Sequence, residues 1–146
     1  MYDENAYRET YREVNPVQCV FERGMLRQCV DCEMGIRRNI AEREAVGCRE
    51  RAAHALCAGF KERLKRAAMF VLKVAHPDDP LPHAKELKLQ CGGLAGLGVV
   101  VGEGRQNAEN VAALLREALS RHGSLDDLPY QAMLPMIRAF EPRPRR

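Results

Sequence analysis

Residues 49–75 read RERAAHALCAGFKERLKRAAMFVLKVA, and their apolar members Ala53, Leu56, Cys57, Phe60, Leu64, Ala67, Ala68, Val71 and Ala75 recur at three- and four-residue steps. That period gathers them on one stripe of an amphipathic α-helix. The other face carries Arg51, Lys61, Glu62, Arg63, Lys65 and Arg66, with Glu62 and Arg66 at the i,i+4 spacing of an ion pair. The following segment, His76-Pro77-Asp78-Asp79-Pro80-Leu81-Pro82, ends the helix. Proline has no amide donor and pushes the residue before it out of helical geometry.

Downstream, residues 83–91 (HAKELKLQC) read as a helical turn or a short strand, since Leu87, Leu89 and Cys91 alternate. Six of the eleven glycines then crowd into residues 92–104, which reads as a Gly-rich loop. It lacks Gly-x-Gly-x-x-Gly and Gly-Lys-Ser/Thr, so close packing of backbone is expected there rather than phosphate binding. A second helix is expected over Asn107–His122, with Val111, Leu114, Leu115, Ala118 and Leu119 on one face and Gly123 as its stop. A third begins at Ser124 or Asp127, where Ser-Leu-Asp-Asp resembles a capping box, and turns Tyr130, Met133, Leu134, Ile137 and Phe140 inward, with a kink at Pro135.

Upstream, residues 1–15 read as a mobile N-terminal arm or short docking helix closed by Pro16. Residues 17–28 read as a short helix weakened by Gly24, and Cys29–Gly47 as a cysteine-bearing loop. No internal repeat and no hairpin signature is present. The expected fold is therefore all-α: a small bundle of about four helices over residues 16–140, with a Cys-bearing loop near its N-terminus, a Gly-rich loop, and a frayed basic tail at 141–146.

The chain has 146 residues, 46% of them hydrophobic, which suits one domain with a real core. With no Trp and only 5% aromatic residues, that core is built from Leu, Val, Ala, Met and Cys. The net charge of +3 equals what Arg143, Arg145 and Arg146 of the tail contribute, so strong nucleic-acid binding is not implied. A basic face around Lys61–Arg66, with Arg37 and Arg38, lacks interleaved aromatics for base stacking, and nucleic acid is not the favoured partner. The opening MYDENAYRETYREVN lacks the basic start and apolar run of a secretory signal, and Gly92–Gly102 is too short for a membrane span. A cytoplasmic protein is expected.

Six cysteines, five of them between positions 19 and 57, are the most informative feature: Cys19-x9-Cys29-x2-Cys32-x15-Cys48-x8-Cys57, then Cys91. In a reducing compartment such clusters bind metal or do redox chemistry more often than they form structural disulfides. A Cys-x2-Cys turn presents two thiolates to one centre in zinc and iron–sulfur sites alike. Nine residues of helix make about two and a half turns, so Cys48 and Cys57 share a site only if Cys48 lies before the helix starts. Scattered spacing suits a cluster, whose ligands stand apart, better than one tetrahedral zinc.

The first ligand set is therefore Cys29, Cys32, Cys48 and Cys57 around an iron–sulfur cluster, most simply [4Fe–4S], with Cys19 and Cys91 competing for places. The zinc alternative is Cys29, Cys32, His54 and Cys57, with His54 one turn from Cys57, in a structural, regulatory or nucleic-acid-binding module. A third reading is thiol redox chemistry at Cys29 and Cys32. Convergent carboxylates or a partnered histidine for acid–base catalysis are not evident; Asp78-Asp79, Asp126-Asp127, His76, His83 and His122 are dispersed. The expectation is a carrier of electrons or a redox sensor with a partner protein, rather than an enzyme with a substrate to turn over.

Overall fold

A computed structural model describes residues 4–102 and 110–142. Helices α1 (Glu4–Val14) and α2 (Glu22–Leu26) precede a hairpin of β1 (Gly35–Ile40) and β2 (Arg43–Cys48). Helix α3 (Arg51–Leu72) follows, then α4 (His83–Leu87), a π-helical turn (Lys88–Gly92), α5 (Gly93–Val100), α6 (Val111–His122), a 3-10 turn (Leu125–Asp127) and α7 (Tyr130–Ala139). The tail residues 143–146 and the expected first turn of the second helix at 107–109 lie outside the described residues.

The all-α expectation is overturned: the fold is mixed, mostly helical with a two-stranded antiparallel sheet. Within the segment read as a cysteine-bearing loop, Gly35 pairs with Cys48 and Ile40 with Arg43. The turn between them, Ala41-Glu42, holds both residues at positive φ, 50° and 70°. A two-residue hairpin turn needs that geometry, and Asn-Gly is its usual sequence because side chains resist it. With Ala and Glu there instead, the hairpin left no local signal.

The Gly-rich segment differs as well. As far as Val100 it is helix rather than loop, with Val101 and Gly102 forming the turn that ends it: the π turn leads into α5 without a break, Gly92 and Gly93 both being right-handed helical. A Cβ on Gly92 would lie 2.7 Å from Ile137 Cα, and one on Gly96 would lie 2.9 Å from Met133 Cα. Glycine one turn apart thus lets α5 press its backbone against α7.

Around that contact lies the core. Phe60, Leu64, Ala68 and Leu72 are the buried members of the α3 stripe. They meet Leu89, Leu94, Leu97, Leu115, Met133 and Ile137, all fully buried. The Phe60 ring stands 6.3 Å from Phe21 and 6.0 Å from Tyr130, joining the N-terminal region to α7. Each buried Leu, Ile, Met or Phe side chain among these stabilises the fold by roughly 1.5–3 kcal/mol.

Helix α3 ends three residues before Ala75. Lys73 turns left-handed at φ 57°, its amide bonds to Phe70 O, and the Val74 amide bonds to Met69 O, closing a Schellman motif. At the other end of the chain, α1 occupies the segment read as an arm. The Tyr11 hydroxyl donates to Glu22 Oε2, which also accepts the Val46 amide at 2.8 Å. Asn15, buried just after α1, donates from Nδ2 to Val46 O at 3.1 Å, so the end of α1 is tied to β2 by one buried and two half-buried polar side chains.

Candidate functional site

Three local structures bring thiols to one place. Residues 17–19 run extended along the free edge of β2: Cys19 N donates to Val46 O at 2.8 Å and Cys48 N to Val17 O at 2.9 Å. This sets Cys19 beside the end of β2. On the other edge Gly35 pairs with Cys48, and a tight turn closed by Gly35 N to Cys32 O, 3.1 Å, carries Cys32 to the same end. Cys48 is the last residue of β2 and α3 starts at Arg51, so the backbone changes course between Cys48 and Cys57. The half-turn mismatch of a continuous helix therefore does not arise.

Cys19, Cys32, Cys48 and Cys57 line one cleft with Phe21, Met25, Ala53, His54, Val111 and Ala112 among its walls. All four cysteines are free and half-buried. Cys19 Sγ stands 3.5 Å from Met25 Sδ, and Cys48 Sγ donates to Glu50 O at 3.2 Å. Among the described residues no three His, Cys, Asp or Glu side chains sit close enough to share a single metal ion as they stand.

The cleft is hostile to uncompensated negative charge. Burial pushes the Cys57 thiol up to about 12, and the neighbouring Cys32, Cys19 and Cys48 add to the effect. Burial likewise pushes Cys19 up to about 11, against a lowering contact from the Phe21 backbone and with Cys32 and Cys48 raising it further. Four thiolates packed in an apolar wall repel one another, and a cationic centre would relieve that repulsion.

Cys29 and Cys91 stand apart from this group. They are disulfide-bonded to each other, with Cα atoms 5.8 Å apart, and neither lines the cleft. Of the first ligand set, Cys32, Cys48 and Cys57 come together and Cys29 does not; Cys19 takes the fourth side. His54 does line the cleft, but its Nε2 is 2.9 Å from Gln18 O, a carbonyl that only accepts, so that nitrogen carries its proton. Cys19, one of the two competing candidates, reaches the cleft through the pairing of residues 17–19 with β2, which joins segments about 30 residues apart in sequence.

The basic face of α3 is largely engaged within the chain. Lys61 pairs with Glu86 at 3.0 Å, Arg63 with Asp126 at 2.7 Å, and Lys65 Nζ donates to Asp79 O at 2.6 Å. Among the described residues no helix is long and apolar enough to cross a membrane. No protein-family model, curated protein or solved structure matches the chain.

Proposed function

We propose that this chain is an iron–sulfur protein whose cluster, most simply [4Fe–4S], is held by Cys19, Cys32, Cys48 and Cys57, and that it carries electrons or reports redox state. The reading is carried by one observation: the four free cysteines, drawn from four separate segments, line a single cleft. An all-thiol donor set is the soft kind that selects iron–sulfur clusters, zinc or copper(I). The scattered sequence spacing of the thiols suits a centre that spreads its ligands over several irons.

A bound cluster would exchange single electrons at this site. The chain's own part is to supply four thiolates and to keep water from most of the centre. Phe21, Met25, Val111 and Ala112 form apolar walls, and the burial that resists free thiolates favours metal-bound ones.

Anaerobic purification followed by iron and acid-labile sulfide analysis tests the proposal. Coloured protein with about four iron and four sulfide per chain is expected. Replacing Cys19, Cys32, Cys48 or Cys57 by Ser should deplete both, whereas Cys29→Ser and Cys91→Ser should leave them in place. Colourless protein with stoichiometric zinc, released by His54→Ala, would overturn it in favour of the zinc module.

A further inference from the structure

The pair Cys29–Cys91 lies outside the four-thiol cleft and has a setting of its own. Cys91 belongs to the π-helical turn, and its neighbour Gln90 reaches the same short helix by a different bond. Gln90 Oε1 accepts the Gly24 amide at 2.9 Å, and Gln90 Nε2 donates to Glu86 Oε2 at 3.0 Å. Cys29 follows α2, with its amide on Gly24 O at 3.1 Å. Met25 and Leu89, on the two joined segments, are both fully buried. The two cysteine-bearing segments are therefore held together by hydrogen bonds and core packing as well as by the disulfide. Breaking the S–S bond leaves those contacts in place.

The two sulfurs are also unequally reachable. Cys91 is 2% exposed, whereas Cys29 is only half-buried. An incoming thiolate meets Cys29 first. Disulfide exchange requires in-line access to one sulfur and a leaving thiol on the other, and this asymmetry supplies both roles.

We propose that Cys29 and Cys91 form a reversible dithiol–disulfide centre, in which Cys29 is the sulfur that exchanges with a thiol reductant and Cys91 is the buried sulfur that leaves and returns. A reductant thiolate attacks Cys29 Sγ, forming a mixed disulfide as the Cys29–Cys91 bond breaks, and Cys91 takes up a proton. A second reductant thiol attacks the mixed disulfide, releasing the oxidised reductant as a disulfide and leaving Cys29 reduced. Two electrons and two protons pass to the protein. In reverse, Cys91 attacks the mixed disulfide on Cys29 and expels the reductant. The π-helical turn is then a working element, as such turns often are at functional sites. This inference does not rest on the iron–sulfur reading.

The test uses the full-length protein under native conditions, equilibrated anaerobically with mixtures of reduced and oxidised glutathione or dithiothreitol, then alkylated and mapped by mass spectrometry. The pair should interconvert reversibly, with helical circular dichroism retained in the reduced form. With oxidised glutathione, Cys91→Ser should trap a mixed disulfide on Cys29, at least tenfold more than Cys29→Ser traps on Cys91. A pair that stays oxidised in excess dithiothreitol until denaturant is added overturns the proposal, as does loss of the fold on reduction. Equal trapping on the two sulfurs overturns the assigned roles. Should either variant fail to fold, the wild-type titration alone decides whether the centre is reversible.

Discussion

Asn15 and Gly47 share one volume: the Asn15 side chain stands where a Cβ on Gly47 would be, overlapping it at Oδ1. Asn15 is 5% exposed and its amide bonds to Val46 O and to the Tyr11 hydroxyl, so it has little room to withdraw. Gly47→Ala should therefore cost about 1–3 kcal/mol, the usual range for overpacking a tight site. Urea denaturation checks this. The same substitution should loosen Cys48, the next residue along β2, and lower iron retention under mild chelation; a neutral effect on stability would mean that Asn15 moves freely.

Gln90 is buried at 2% exposure with both ends of its amide bonded. Gln90→Leu leaves the Gly24 amide and Glu86 Oε2 without that partner, and an unpaired buried group costs about 1–3 kcal/mol. With the disulfide intact the crosslink still restrains the two segments. The loss measured in urea should consequently be larger after reduction of Cys29–Cys91 than before it.

Lys73 closes α3 in a left-handed conformation at φ 57°. A side chain in that region costs roughly 1–2 kcal/mol, which glycine avoids. Part of that gain is offset by the greater freedom of glycine in the unfolded chain. Lys73→Gly should raise stability by about 0.5–1 kcal/mol, unless the bond from Lys85 Nζ to the Lys73 carbonyl is disturbed. Thermal unfolding of the variant is the direct measurement.

Tyr130 donates its hydroxyl proton to Leu125 O at 2.5 Å. Burial pushes its ionisation up from 10.0 to about 12, with Arg63 lowering it and Asp126 raising it. The folded state thus holds this proton more tightly than the unfolded chain does. Below pH 10 both forms are protonated and stability is unaffected by this group; between pH 10 and about 12 the unfolded chain ionises first and stability falls. Tyr130→Phe should flatten part of that alkaline decline in pH-dependent urea midpoints. Tyr11, also raised by burial and by its bond to Glu22, should account for more of it.

Much of the helical architecture was legible from local pattern. The apolar steps of residues 49–75 located α3 to within three residues at either end, and the helix expected over Asn107–His122 is α6, which starts at Val111 with Asn110 extended and ends at the expected Gly123 stop. Both are long amphipathic segments whose period survives tertiary context. The capping box expected to open the third helix at Ser124 or Asp127 does not form: the Ser124 hydroxyl bonds Asp127 Oδ2 rather than a backbone amide, the segment is a 3-10 turn, and α7 starts only at Tyr130. The hairpin and α5 were not legible. Ala41-Glu42 gives no turn signature, and Gly92, Gly93 and Gly96 are explained only by Ile137, Leu64 and Met133, which are distant in sequence.

Sequence alone established that cysteine is the unusual resource of this chain and that Cys48 had to precede a helix if it was to work with Cys57. The tertiary structure divided the six cysteines: four around a cleft and two in a disulfide. Spacing cannot make that division. Cys19 meets Cys48 through strand pairing along β2, and Cys29 meets Cys91 across a sequence separation of 62 residues. Both contacts depend on how the segments pack, so they exist only once the chain has folded.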